Sequence, residues 1–194
     1  MVKRRKYEFK PDRKESNFLH RLYLTHAQRQ QLLKWGLYST ICILLLVVQD
    51  VIMSQIHFYG ATTDLAVCAI FLIAILEGQE TGGLFSLIAA ALYHFAGSAP
   101  FPYVIALIPV LAIFCALFRQ SIWCRSFGSM IFTAGGAFLL YELGVFAIGL
   151  VLGRTILVRF PIFVLTWAYS MAVMVPLYPL CNAIRKIGGE AWKE

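Results

Sequence analysis

Between Trp35 and Leu180 the chain is a succession of apolar runs broken only by short polar or turn-forming stretches, and this pattern restricts the fold more than any other feature. About 20 mostly apolar residues are needed to cross the hydrocarbon core of a bilayer as a helix. Six segments meet or approach that length: Trp35 to Gln55, Ala61 to Leu76, Gly82 to Phe95, Pro102 to Phe118, Phe127 to Leu152 and Phe160 to Leu180. With 60% hydrophobic and 14% charged residues, and a mean hydropathy of +0.73, the polar side chains are too few to cover a soluble domain of 194 residues. The expected fold is therefore all-α, a polytopic membrane protein of six transmembrane helices. A soluble enzyme, a disordered chain and a disulfide-rich secreted module are all excluded by the same count.

Local signals sharpen the boundaries. Thr25-His26-Ala27-Gln28 fits a capping box, so the first helix is expected to begin ahead of its apolar run. Glu77-Gly78-Gln79-Glu80 reads as a polar turn after the second span, and the third span is short. Pro109 predicts a kink in the fourth helix, Pro161 suits a helix start, and Pro176 and Pro179 are expected to distort the end of the sixth. Gly82-Gly83, Gly135-Gly136, Ala112-xxx-Ala116 and Ala168-xxx-Ala172 are read as close-packing seams between helices.

Charge is concentrated at one end. Residues 1–34 carry ten Lys or Arg against three acidic residues, and the remaining seven basic and seven acidic side chains cancel, leaving the formal net charge of +7. Residues 1–34 are thus a basic cytoplasmic arm, 35–187 the six-helix transmembrane domain, and 188–194 a cytoplasmic tail. Lys3, Arg4, Arg5 and Lys6 are the expected contact with anionic lipid headgroups. With few aromatics to stack bases, the arm is not read as binding nucleic acid. The first apolar run is too long for a signal-peptide core and is read as an uncleaved span. Basic residues are retained on the cytoplasmic side. Both termini inside puts fifteen of the seventeen Lys and Arg there, with only Arg154 and Arg159 outside. The expected location is a bacterial plasma membrane, crossed several times.

The chemistry expected is sparse. The five cysteines are scattered singly, and no HExxH, Walker A or GxGxxG pattern occurs, so neither catalysis nor a cofactor or metal is expected. Polar residues within spans are costly unless partnered. Glu142 is the sharpest case, with Gln49, Asp50, Asp64, His94 and Arg154 mapping to the same outer half of the membrane. These six residues form the candidate polar cluster or partner-contact site, with His94, Gln49 or Arg154 as expected partners of Glu142.

Gly60-Ala61-Thr62-Thr63-Asp64-Leu65, the Gly-containing turn at Leu76-Glu77-Gly78, Gly82-Gly83-Leu84, and the closing Pro176-Leu177-Tyr178-Pro179-Leu180 before Arg185-Lys186 resemble the MreD family of rod shape-determining membrane proteins. Thr63 stands at the family's proline, Asp64 matches its aspartate, and Tyr93-His94 stand where a second aspartate closes the third helix. The resemblance spans roughly residues 36–187. It implies a non-enzymatic scaffold of the elongasome that binds the single-span protein MreC. It further implies coupling to lateral peptidoglycan synthesis by RodA and a class B penicillin-binding protein, and so a part in cell shape. It also implies a fold similar to the substrate-binding subunits of energy-coupling-factor vitamin transporters, and that function is the alternative. Those subunits usually carry an Ala-xxx-Ala face in the first helix, where this chain has Ser39-Thr40-Ile41-Cys42.

Overall fold

The computed structural model describes residues 26–53, 55, 60–122 and 127–187. The arm residues Lys3, Arg4, Arg5 and Lys6, the capping residue Thr25 and the tail 188–194 lie outside them. Among the described residues the chain is all-helical: α1 His26–Val48, α2 Leu65–Glu77, α3 Gln79–Phe95, α4 Val104–Ile122, α5 Phe127–Val151 and α6 Phe160–Ile187. A π-helical turn, Gln49–Met53, extends α1, and a 3-10 turn, Leu157–Arg159, leads into α6. Three helical stretches are long and apolar enough to cross a membrane: Gln28–Ile52, Phe127–Val151 and Leu157–Ile187.

The remaining helices are shorter, and α2 explains why. Its 13 residues are apolar except for the last, and every one of them is buried. Such a helix extends only about 20 Å at 1.5 Å per residue, so it is a core element that its neighbours must enclose. All five other helices pack against it. Along α3 the packing is closest at Gly82, where a β-carbon would stand 2.4 Å from the Ala74 carbonyl oxygen of α2. Gly83 faces Ile113 of α4, and Gly135 of α5 faces Met171 of α6, each too closely for a methyl group. Gly136, its neighbour, faces open space.

Successive helices alternate in direction. Lys34 near the start of α1 and Cys181 near the end of α6 both meet the α2 to α3 turn region through Glu77 and Tyr38. Gln49 at the other end of α1 meets the start of α2. The bundle thus has a Glu77 end, which holds the first residues of α1 and the last of α6, and an Asp64 end.

Four expectations are revised by the coordinates. The stretch from Glu77 to Glu80 is not a polar loop: only Gly78, at φ +91°, separates two helices, because its left-handed backbone turns the chain within one residue. The helix α6 does not end near Pro176 and Pro179 but continues through both to Ile187. The first helix begins ahead of its apolar run as expected, at His26, but Lys34, assigned to the arm, is buried and paired within the bundle. Finally, Ala112 and Ala116 are buried, whereas Ala168 and Ala172 are exposed and form no seam within the chain.

Candidate functional site

Two polar clusters occupy the two ends of the bundle. At the Glu77 end, Lys34 Nζ forms an ion pair with Glu77 Oε2, and both side chains are almost fully buried. Tyr38, one turn after Lys34, donates its hydroxyl proton to Glu77 Oε1 at 2.9 Å and lies 3.3 Å from the Cys181 carbonyl. Arg119 of α4 donates to the Ile75 carbonyl at 2.8 Å, satisfying one of the acceptors that the last turn of α2 leaves open. The buried Lys34 and Glu77 are paired and Arg119 reaches a helix-end carbonyl, so this cluster is a lock that ties α1, α2, α4 and α6 together.

The Asp64 end is built differently. Asp64 occupies the position before α2 where an aspartate commonly caps a helix, yet its side chain makes no capping hydrogen bond. Gln49 of the π-helical turn does that work instead, its Oε1 accepting from Ala66 N–H at 3.0 Å. The π-helical turn changes the register of the end of α1, and such turns are frequent at functional sites. Ser170 of α6 accepts from Asp64 N–H at 3.3 Å. The Asp64 carboxylate is thereby freed: Oδ2 accepts from Tyr93 at 2.8 Å, and Oδ1 is buried with no hydrogen-bond partner. Thr63 Oγ1 is likewise buried and unpartnered.

These groups border a cavity of about 300 Å³. Gln49, Asp64 and Glu142 line it together with Thr63, Tyr93 and Tyr141. Glu142 is 8% exposed and has no hydrogen bond or ion pair among the described residues. Phe101 and Phe163 contribute apolar wall, and Ser98 adds a hydroxyl that donates to both oxygens of Asp50 at 2.8 and 2.9 Å. Of the six residues expected to cluster, three line the cavity and Asp50 adjoins it through Ser98. His94 is half-buried with its Nδ1 unpartnered, and Arg154 is exposed; neither lines the cavity. Neither His94 nor Arg154 pairs with Glu142.

Sequence reasoning missed Tyr93, Thr63 and Ser98 in this site. It had placed Lys34 in the arm and Glu77 in a turn. The readable signal for Tyr93 was the Tyr93-His94 pair, of which only His94 was singled out; of the two, the tyrosine is the buried residue that lines the cavity. Searches of protein-family models, of curated proteins and of solved structures find no match to this chain.

Proposed function

We propose that the chain is a non-enzymatic membrane scaffold of the bacterial cell-elongation machinery, of the MreD kind, holding a single-span MreC-like partner beside peptidoglycan synthesis by RodA and a class B penicillin-binding protein. The supporting observation is a groove of about 310 Å³ between α1 and α3, lined by Trp35, Ser39, Thr81, Leu84, Phe85 and Ile88. Its walls are apolar with two small hydroxyls, which is the surface a transmembrane helix packs against without a hydrophobic driving force. The outward faces of α1 and α6 agree with such a role, since in each only 17% of the apolar window is buried within the chain. In this reading the Glu77 end and the basic arm are cytoplasmic, Lys3 to Lys6 lie on anionic headgroups, and the bundle shares its architecture with the energy-coupling-factor substrate-binding subunits.

A photo-crosslinking amino acid at Ser39 or Leu84, in the full chain in native membranes, is expected to trap a single-span protein. The same probe at exposed Ala168 of α6, outside that groove, is expected to trap it less. Recovery of a paired transporter ATPase complex instead would replace the scaffold with the vitamin-transporter reading.

A further inference from the structure

The cavity at the Asp64 end is lined by two carboxylates, Asp64 and Glu142. Among the described residues that line it there is no Lys, Arg or His. Glu142 is 8% exposed and unpaired among the described residues, and Asp64 Oδ1 has no partner. Thr63, also 8% exposed, lines the cavity with its hydroxyl unsatisfied. A buried carboxylate or hydroxyl without a partner is costly, and three in one cavity need a complementary donor. At the Glu77 end the same chain pairs its buried carboxylate fully, so the open valences at Asp64 are specific to this site.

The walls indicate the kind of donor. Tyr93, Tyr141, Phe101 and Phe163 present aromatic surface around the acids. A second, apolar groove of about 210 Å³ between α5 and α6 shares Glu142 and Phe163 with the cavity and continues along Leu139, Leu143 and Trp167. A bare metal ion does not suit this set, since no group of three or more His, Cys, Asp or Glu converges among the described residues. An ammonium supplies several donors to carboxylate and hydroxyl oxygens and is attracted by aromatic faces. A volume of about 300 Å³ is at the lower bound of small-molecule sites.

We propose that this cavity binds a small organic cation, an ammonium group on an apolar body, with the head between Asp64, Glu142 and Thr63 and the body against the aromatic walls toward the α5 to α6 groove. The site stands apart from the α1 to α3 groove and does not depend on the scaffold reading.

The test uses the full chain purified in lipid nanodiscs, with 2-phenylethylammonium, ethylammonium, the neutral isostere 2-phenylethanol and sodium chloride as probes. Equilibrium dialysis is expected to show saturable binding of 2-phenylethylammonium, and its saturation to raise the unfolding midpoint by about 4 °C or more. The alcohol should do neither. Glu142→Gln, which has no hydrogen bond to lose within the described chain, is expected to weaken binding by at least about tenfold. Thr63→Val, an isosteric change at an unpartnered hydroxyl, keeps the test available should Glu142→Gln fail to fold, and it too should weaken binding. Equal binding of 2-phenylethanol, an undiminished affinity in a folded variant, or an equal shift from sodium alone would each overturn the proposal. Equal affinity for ethylammonium would overturn the part played by the apolar body.

Discussion

Lys34 and Glu142 are both ionisable residues in an apolar bundle, and their surroundings lead to opposite predictions. Lys34 is satisfied by Glu77, so Lys34→Met leaves a buried carboxylate with only Tyr38 to stabilise it. Removing one partner of a buried pair costs about 3–5 kcal/mol, whereas replacing both by apolar residues is often neutral. Thermal unfolding in detergent is therefore expected to show Lys34→Met far less stable than the double variant Lys34→Met/Glu77→Met. If the double variant is as unstable as the single one, the pair is not the source of the effect. Glu142 has no such partner among the described residues, and Glu142→Leu is expected to raise the stability of the unliganded chain by about 1 kcal/mol or more, because an unsatisfied carboxylate gives way to apolar contact. A loss of stability in Glu142→Leu would mean that the carboxylate is structurally engaged. Binding sites commonly trade stability for function in this way.

Glycines within the helices separate by what faces them. At Gly82 an added methyl meets the Ala74 backbone of α2, which has no rotamer by which to yield. Gly82→Ala is expected to push α3 from α2 and destabilise the chain by about 1–3 kcal/mol, the usual range for overpacking. Gly136 in α5 has nothing within 4 Å, so Gly136→Ala is expected to stabilise by about 0.5–1 kcal/mol through the helix preference of alanine. Unfolding curves for the two variants should move in opposite directions. The contrast follows from α2 itself: Gly82 packs on the backbone of a helix enclosed on all sides, whereas Gly136 is exposed.

Across the molecule, the alternation of six helices places the last residues of α6 at the Glu77 end and the α3 to α4 connection at the Asp64 end. Reporter fusions after Gly97 and after Ile187 are accordingly expected to report opposite sides of the membrane, with Ile187 cytoplasmic by the basic-residue asymmetry. Agreement between the two fusions would refute the alternating arrangement. The two ends also divide the chemistry. The Glu77 end is closed by an ion pair and an arginine cap, while the Asp64 end leaves buried hydrogen-bonding groups of Thr63 and Asp64 without partners beside a cavity.

Helix number and the approximate positions of the helices were readable from the order of residues, because hydrophobic transfer and helical rise are local and nearly additive along the chain. That Asp64, Gln49 and Glu142 share one cavity rests on tertiary packing, as does the exclusion of His94 and Arg154 from it. Lys34 and Glu77 stand 43 positions apart, and nothing in either local stretch marks the other as its partner. The capping of α2 by Gln49, 17 positions upstream, likewise depends on a π-helical turn that no hydropathy pattern encodes. Composition determines which segments leave water. Which polar groups then meet depends on the rotation and register of packed helices, settled by contacts such as Gly82 on Ala74 that exist only once the whole bundle has closed.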